Sequence, residues 1–215
     1  TQSGFVARLE DGLFQVIEDG FDGPVSQLSF APDPNEDGSR SLIAGGTFAR
    51  VGDQEVNFIA HWDGQDWQAL GEGLATVPSA VEYGTDRIFA SANPSGDEGL
   101  VLGAWDGDQW TELATPDAKF PPVDDTSWFG NIQQVGDRLF LAGNVFPPVA
   151  DWPEFGPRLY VYEDGEFQTL GGGVVGFADR MKIRHDSVWF IGDLIEADPA
   201  GEPVSTLGLG RLYWP

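Results

Sequence analysis

Trp62-Asp-Gly-Gln-Asp-Trp67 is one of four related hexads in this chain; the others are Leu9-Glu-Asp-Gly-Leu-Phe14, Trp105-Asp-Gly-Asp-Gln-Trp110 and Tyr162-Glu-Asp-Gly-Glu-Phe167. Each has a large apolar residue at both ends and turn formers between. Recurrence at intervals of roughly 40–60 residues marks a repeat architecture. A two-residue hairpin loop would pair the first and sixth positions, setting Trp62 opposite Trp67, a cross-strand aromatic pair contributing roughly 0.2–1 kcal/mol. The glycine moves by one place among the copies. With Gly64 or Gly107 first in the central pair, a type II′ turn is expected; with Asp11-Gly12 or Asp164-Gly165, type I′.

A second hairpin precedes most hexads. Its first strand is predicted at 25–31, 77–83, 129–135 and 177–184. Its second strand includes Leu42-Ile-Ala-Gly-Gly-Thr-Phe48 and Phe140-Leu-Ala-Gly-Asn-Val-Phe146. These are short β-branched and aromatic runs bounded by Gly, Asp and Pro. The small residues of the Ala-Gly-Gly type are expected where backbones approach closely. No convincing amphipathic helix of ten or more residues is present.

The chain therefore reads as all-β, a β-propeller of four-stranded antiparallel blades, with a β-sandwich as the alternative. One repeat domain over 1–215 is expected, with units near 5–57, 58–99, 100–157 and 158–207 and a partial copy at 208–215. Leu209-Gly-Arg-Leu212 matches Val6-Ala-Arg-Leu9 at the other end, so the chain enters and leaves in the third strand of a unit. About 4–5 blades, or an arc of a larger propeller, fit this duplication.

The charge narrows the partners. Thirty-five acidic residues against 11 basic give a net charge of −24, and only Lys119 and Lys182 are lysines. Such a surface repels nucleic acid and anionic lipid and favours cations and basic proteins. It also suits a salty extracellular setting. No run of 18 apolar residues is present to span a membrane as a helix. The absence of cysteine rules out a thiol nucleophile or thiolate metal site. It decides little about compartment.

The stretch Leu42-Ile-Ala-Gly-Gly-Thr-Phe-Ala-Arg-Val-Gly, continued by Phe58-Ile-Ala-His-Trp-Asp-Gly-Gln-Asp-Trp-Gln-Ala-Leu-Gly-Glu-Gly-Leu74, resembles a repeat of large secreted or surface proteins of environmental bacteria. Those repeats are similar to kelch-type β-propellers. The resemblance implies an extracytoplasmic propeller (secreted, periplasmic or on the cell surface) and no particular activity.

Three loops depart from the repeat. Asp33-Pro-Asn35-Glu-Asp37-Gly38 matches the opening of a calcium loop, in which alternating oxygens converge on Ca²⁺. It lacks the closing Glu, the twelfth position being Ala44, and it also reads as an acidic turn. Asp33, Asn35 and Asp37 are the candidate ligands. The loops 115–126 and 146–157 are Pro-rich and carry Phe120, Trp152 and Phe155, candidate contacts for a protein or a sugar ring, or residues that fold back over a sheet edge. His61 and His185 read as structural. The sialidase box is absent, the tyrosyl–cysteine cofactor of galactose-oxidase-like enzymes is impossible, and acid pairs such as Asp124-Asp125 are expected in any chain this acidic. The expected function is a non-catalytic binding or assembly module, an accessory or surface subunit making protein–protein contacts. A lectin-like propeller, which would repeat its polar pocket residues from blade to blade, is the alternative, and a glycan-active enzyme ranks third.

Overall fold

The computed structural model describes residues 6–17, 20–36, 38–92, 101–114, 128–144, 158–169, 175–176, 180–184, 187–197 and 203–213. Among them every regular element is a strand. Strands β1 (Ala7–Glu10) and β2 (Leu13–Val16) form the first hexad's hairpin. Strands β3 (Val25–Phe30), β4 (Leu42–Gly46), β7 (Ile59–Trp62) and β8 (Trp67–Ala69) form a four-stranded antiparallel sheet in that order. Between β4 and β7 a small ribbon of β5 (Arg50–Val51) and β6 (Gln54–Glu55) interrupts. Strands β9 (Pro78–Tyr83), β10 (Ile88–Ala92), β11 (Val101–Trp105) and β12 (Trp110–Ala114) form the next sheet, and β13 (Trp128–Val135), β14 (Arg138–Asn144), β15 (Arg158–Glu163) and β16 (Glu166–Thr169) another. In the last, β19 (Ser187–Ala197) pairs β17 (Val175–Gly176), β18 (Arg180–Arg184) and β20 (Pro203–Tyr213). Three of the four-stranded sheets thus group one hairpin with the two strands that follow it. The final hairpin is longer than its sequence pattern suggests, with eleven residues in each of β19 and β20.

The hexads form the expected pairs: Leu9 opposite Phe14, Trp62 opposite Trp67 and Tyr162 opposite Phe167. The Trp105 and Trp110 rings lie 5.8 Å apart. Asp11 and Gly12 have φ of 49° and 79°, and Asp164 and Gly165 53° and 79°, the two left-handed residues of a type I′ turn. In the other two copies Gly64 and Gly107 take left-handed φ of 110° and 105°. A side chain completes the closure there. Asp63 Oδ1 accepts the N–H groups of Gln65 (2.8 Å) and Asp66 (2.9 Å), and Asp106 Oδ1 those of Asp108 (3.0 Å) and Gln109 (2.9 Å). The aspartate before the glycine therefore caps the turn with its carboxylate. These N–H groups hold both carboxyls below the ordinary aspartate value, led by Asp66 for Asp63 and by Gln109 for Asp106.

Contacts divide the chain into two compact units, Thr1–Ala90 with Ala104–Thr111, and Ser91–Gly103 with Glu112–Pro215. The first unit holds two apolar clusters. One joins Leu42, Ala44, Ala60 and Trp67 to Val6, Phe21, Phe48, Val51 and Val56. Phe21 lies edge-on to Phe48 and Trp67 at centroid distances of 4.5 and 5.0 Å. The other joins Ile43, Ile59 and Leu70 to Val81, Ile88 and Ala90, so two successive sheets pack face to face. Alternation along each strand sends neighbouring residues to opposite clusters, Leu42 to one and Ile43 to the other. The Ala-Gly-Gly run serves close approach: a Cβ on Gly46 would fall on the carbonyl oxygen of Pro24, and one on Gly45 would lie 2.9 Å from Pro78 Cγ. The second unit packs Phe140, Ala142, Leu159 and Val161 against Met181, Ile183 and Val188.

Side chains tie successive sheets to one another within each unit. Ser29 Oγ accepts the N–H of Tyr83 (2.9 Å) and donates to Glu82 (3.0 Å), linking β3 to β9. Gln133 Oε1 accepts the N–H of Ile183 (2.9 Å), linking β13 to β18.

Candidate binding surfaces

The loop read as a calcium site is organised by its amide. Asn35 Nδ2 donates to Ser39 Oγ (2.9 Å) and to the carbonyl of Asp63 (2.8 Å), and Asn35 Oδ1 accepts from Ser41 Oγ (3.2 Å). The carboxamide thus fastens the loop to the hexad turn at 63–66. Asp33 is exposed, and Asp37 lies outside the described residues. Among the described residues no group of three or more His, Asp or Glu side chains is placed to hold a metal ion. Phe120, Trp152 and Phe155 also lie outside the described residues, as do His185 and the Asp124-Asp125 pair.

The exposed large apolar side chains of the described residues gather at the start of the chain. Leu9, Leu13, Phe14 and Val16 of the first hairpin are 60–79% exposed, and Leu28 and Phe30 of β3 are 48% and 55% exposed. Register explains β3. Phe30 lies opposite Leu42, Leu42 opposite Trp62, and Trp62 opposite Trp67, so Phe30 shares a sheet face with the Phe21–Trp67 cluster. The buried part of that face is the part covered by Val6 and Phe21. Leu28 and Phe30 belong to the same face beyond that cover. Among the described residues β1 pairs with β2 only, whereas the equivalent strand β7 pairs on both edges. Sequence reasoning placed the docking residues in later loops and missed this region. The signal available was a Leu-x-Phe strand with no polar residue where a solvated face needs one.

Two clefts open in the first unit. One, of about 380 Å³, lies among the β1–β2 hairpin, the β3–β4 hairpin and the turn after β7. The other, of about 400 Å³, lies among β7–β8, the β9–β10 hairpin and the turn after β11. They occupy the same place in consecutive repeats. Aligning the hexads on their first residues matches Arg8 with His61, Gln15 with Gln68 and Ile17 with Leu70, and each pair lines its respective cleft. Phe30 and Tyr83, at the ends of β3 and β9, match likewise, and so do Trp62 with Trp105 and Gly64 with Gly107. One hydrogen bond repeats as well: Trp67 Nε1 donates to the carbonyl of Ile17 at 3.4 Å, and Trp110 Nε1 to that of Leu70 at 3.0 Å.

His61 sits in the wall of the second cleft, its Nε2 sharing a hydrogen bond with the Tyr83 hydroxyl at 3.2 Å. Burial lowers its affinity for a proton, opposed by the charge of Asp63. Beside it Gln68 Nε2 donates to Asp63 Oδ2 at 2.6 Å. The residue read from sequence as purely structural therefore also faces a cleft. No helix is long and apolar enough to cross a membrane among the described residues. No protein-family model matches the chain, and no curated protein matches it in sequence.

Proposed function

We propose that the chain is an arc of a β-propeller, each four-stranded sheet a blade, and that it works as a non-catalytic binding and assembly module outside the cytoplasm. Two features support the blade reading. Sheets that follow one another within a unit pack face to face and are tied side chain to backbone, Ser29 to Tyr83 and Gln133 to Ile183. The acidic surface and the resemblance to secreted bacterial repeats support the compartment.

The observation that carries the docking role is the exposed apolar region of β1, β2 and β3. Isolated apolar residues on a surface are ordinary, but Leu9, Phe14 and Val16 share one exposed face of the first hairpin and Leu28 and Phe30 one face of β3, and grouped exposure of this kind favours a contact surface. The partner is a protein that lays strands along the β1 edge, where β4 lies beside β7 in the following repeat, and covers Leu28 and Phe30. Burying side chains of this kind supplies about 1.5–3 kcal/mol each, enough for two or three of them to decide an association. The test is the paired variant L28D/F30D, expressed in the source organism and isolated under mild conditions. The circular dichroism of the wild type is expected to be retained and the co-migrating chains to be lost. A variant that keeps every co-migrating chain refutes the docking role.

A further inference from the structure

We propose that the two repeat-equivalent clefts are ligand sites, each for one neutral pyranose unit of a glycan. This goes beyond the docking role and does not depend on it: the first cleft shares Val16 and Phe30 with the docking surface, so a docked partner would compete with its ligand, and the second cleft shares none of those residues.

Four observations lead there. First, the clefts recur at the same repeat position and keep the same glutamine, tryptophan and glycine in their lining. Second, both offer the two things a sugar ring requires. A half-buried indole, Trp62 or Trp105, supplies a flat apolar surface for the C–H face of a pyranose. A planar carboxamide, Gln15 or Gln68, supplies a paired donor and acceptor for adjacent hydroxyls. Third, arginine is scarce in this acidic chain, and the first unit has four arginines: Arg8, Arg40, Arg50 and Arg87. All but Arg50 line the clefts. Two of these three charges are balanced by carboxylates. Arg8 pairs with Glu10 at 2.9 Å and Arg87 with Asp86 at 3.7 Å, while Arg40 donates to the carbonyls of Ala31 and Pro32. A balanced guanidinium favours a neutral, oxygen-rich ligand over an anion, and Asp86 and Asp106 at the second cleft would repel a carboxylate or sulfate. Fourth, the glutamine is tied to the hexad: Phe14-Gln15, Trp67-Gln68 and Phe167-Gln168 share it, while the third hexad has Trp110-Thr111. Volumes of about 380 and 400 Å³ fall within the range of small-ligand sites.

Side-chain amides of Gln15 and Gln68 are accessible, and neither is needed to build the apolar core, so they can be changed without removing a ring. The experiment is a titration of the ¹⁵N-labelled full chain with the methyl pyranosides of glucose, galactose, mannose and N-acetylglucosamine. The indole N–H resonances of Trp62 and Trp105 are followed into the tens of millimolar. At least one glycoside is expected to shift both in a saturable manner, and Q15A/Q68A to weaken binding tenfold or more while the urea midpoint stays within error. The proposal is overturned if none of the four glycosides shifts either indole. It is also overturned if saturable shifts map away from Trp62 and Trp105, or if Q15A/Q68A binds as the wild type does. Should Q68A disturb the Asp63 turn, Q15A alone tests the first cleft through the Trp62 resonance.

Discussion

Position six of the hexad is buried in one copy and bare in another, so truncating the ring should have opposite consequences at Trp67 and Phe14. Trp67 is 7% exposed, packed against Phe21 at 5.0 Å and Trp62 at 5.5 Å, with its indole N–H on the carbonyl of Ile17. Removing a buried aromatic ring costs about 3–5 kcal/mol. Against a total stability on the order of 5–15 kcal/mol, Trp67→Ala should leave the first unit barely folded. Phe14 is 79% exposed and meets its hairpin partner Leu9, itself 64% exposed. Phe14→Ala should change stability by no more than about 0.5 kcal/mol, the usual range for a surface site. With a urea slope of about 2 kcal/mol per molar, a loss of about 4 kcal/mol lowers the midpoint by about 2 M, and the Phe14 change moves it by about 0.25 M or less. Urea unfolding followed by far-ultraviolet circular dichroism measures both. Equal shifts in the two variants would mean that the chain itself covers Phe14, and the reasoning that makes the first hairpin a docking surface would fail.

Further consequences follow from single sites. Gly46→Ala drives a methyl group into the Pro24 carbonyl and should cost at least about 1–3 kcal/mol, as overpacking does; thermal unfolding at neutral pH tests it. Asn35→Ala releases the loop from Ser39, Ser41 and Asp63 and should cost about 1 kcal/mol, with proteolysis at 32–38 as the local readout. His61 takes up a proton less readily folded than unfolded, because burial outweighs the pull of Asp63. Its contribution is therefore complete above the unfolded value of about 6.5 and declines as the pH falls below it. His61→Gln should flatten that part of the pH dependence of the urea midpoint, and an unchanged slope would contradict the burial argument.

The hairpins were legible because their chemistry is local. Asp-Gly at a turn demands two left-handed residues, and Trp62 and Trp67 pair wherever the hairpin ends up. What escaped were features that depend on which faces meet. The carboxylates of Asp63 and Asp106 close their turns through bonds that the Asp-Gly pattern alone does not separate from a plain two-residue loop. The ribbon β5–β6 is too short for an alternating pattern, and it is held by Asp22 Oδ1 accepting the N–H groups of Ala49 and Arg50, more than twenty residues away. His61 meets Tyr83 only once two sheets are stacked, and each cleft takes its walls from two repeats. The clue that survived in the sequence was the glutamine after the sixth hexad position, which no strand or turn preference requires.

The apolar region and the clefts suggest two uses of one scaffold, which overlap at Val16 and Phe30 in the first cleft. Strand edges and large apolar side chains suit an extensive protein contact, which gains from area. The clefts are small and polar at the rim, suited to weak ligands that gain from repetition, since linking two engaged sites raises overall affinity without new contacts. An oligosaccharide able to reach both clefts should therefore bind more tightly than the matching methyl glycoside.

The central claim is that the β1–β2–β3 region is covered by a protein partner in the working state. The most direct measurement is the native mass of the material isolated from its source under mild conditions, with every co-migrating chain identified. A particle well above the 23.3 kDa of the chain, containing a second protein that protects the amides of Ala7–Glu10 from exchange, is the predicted result. A particle of 23.3 kDa containing this chain alone, with Ala7–Glu10 exchanging freely, would contradict it.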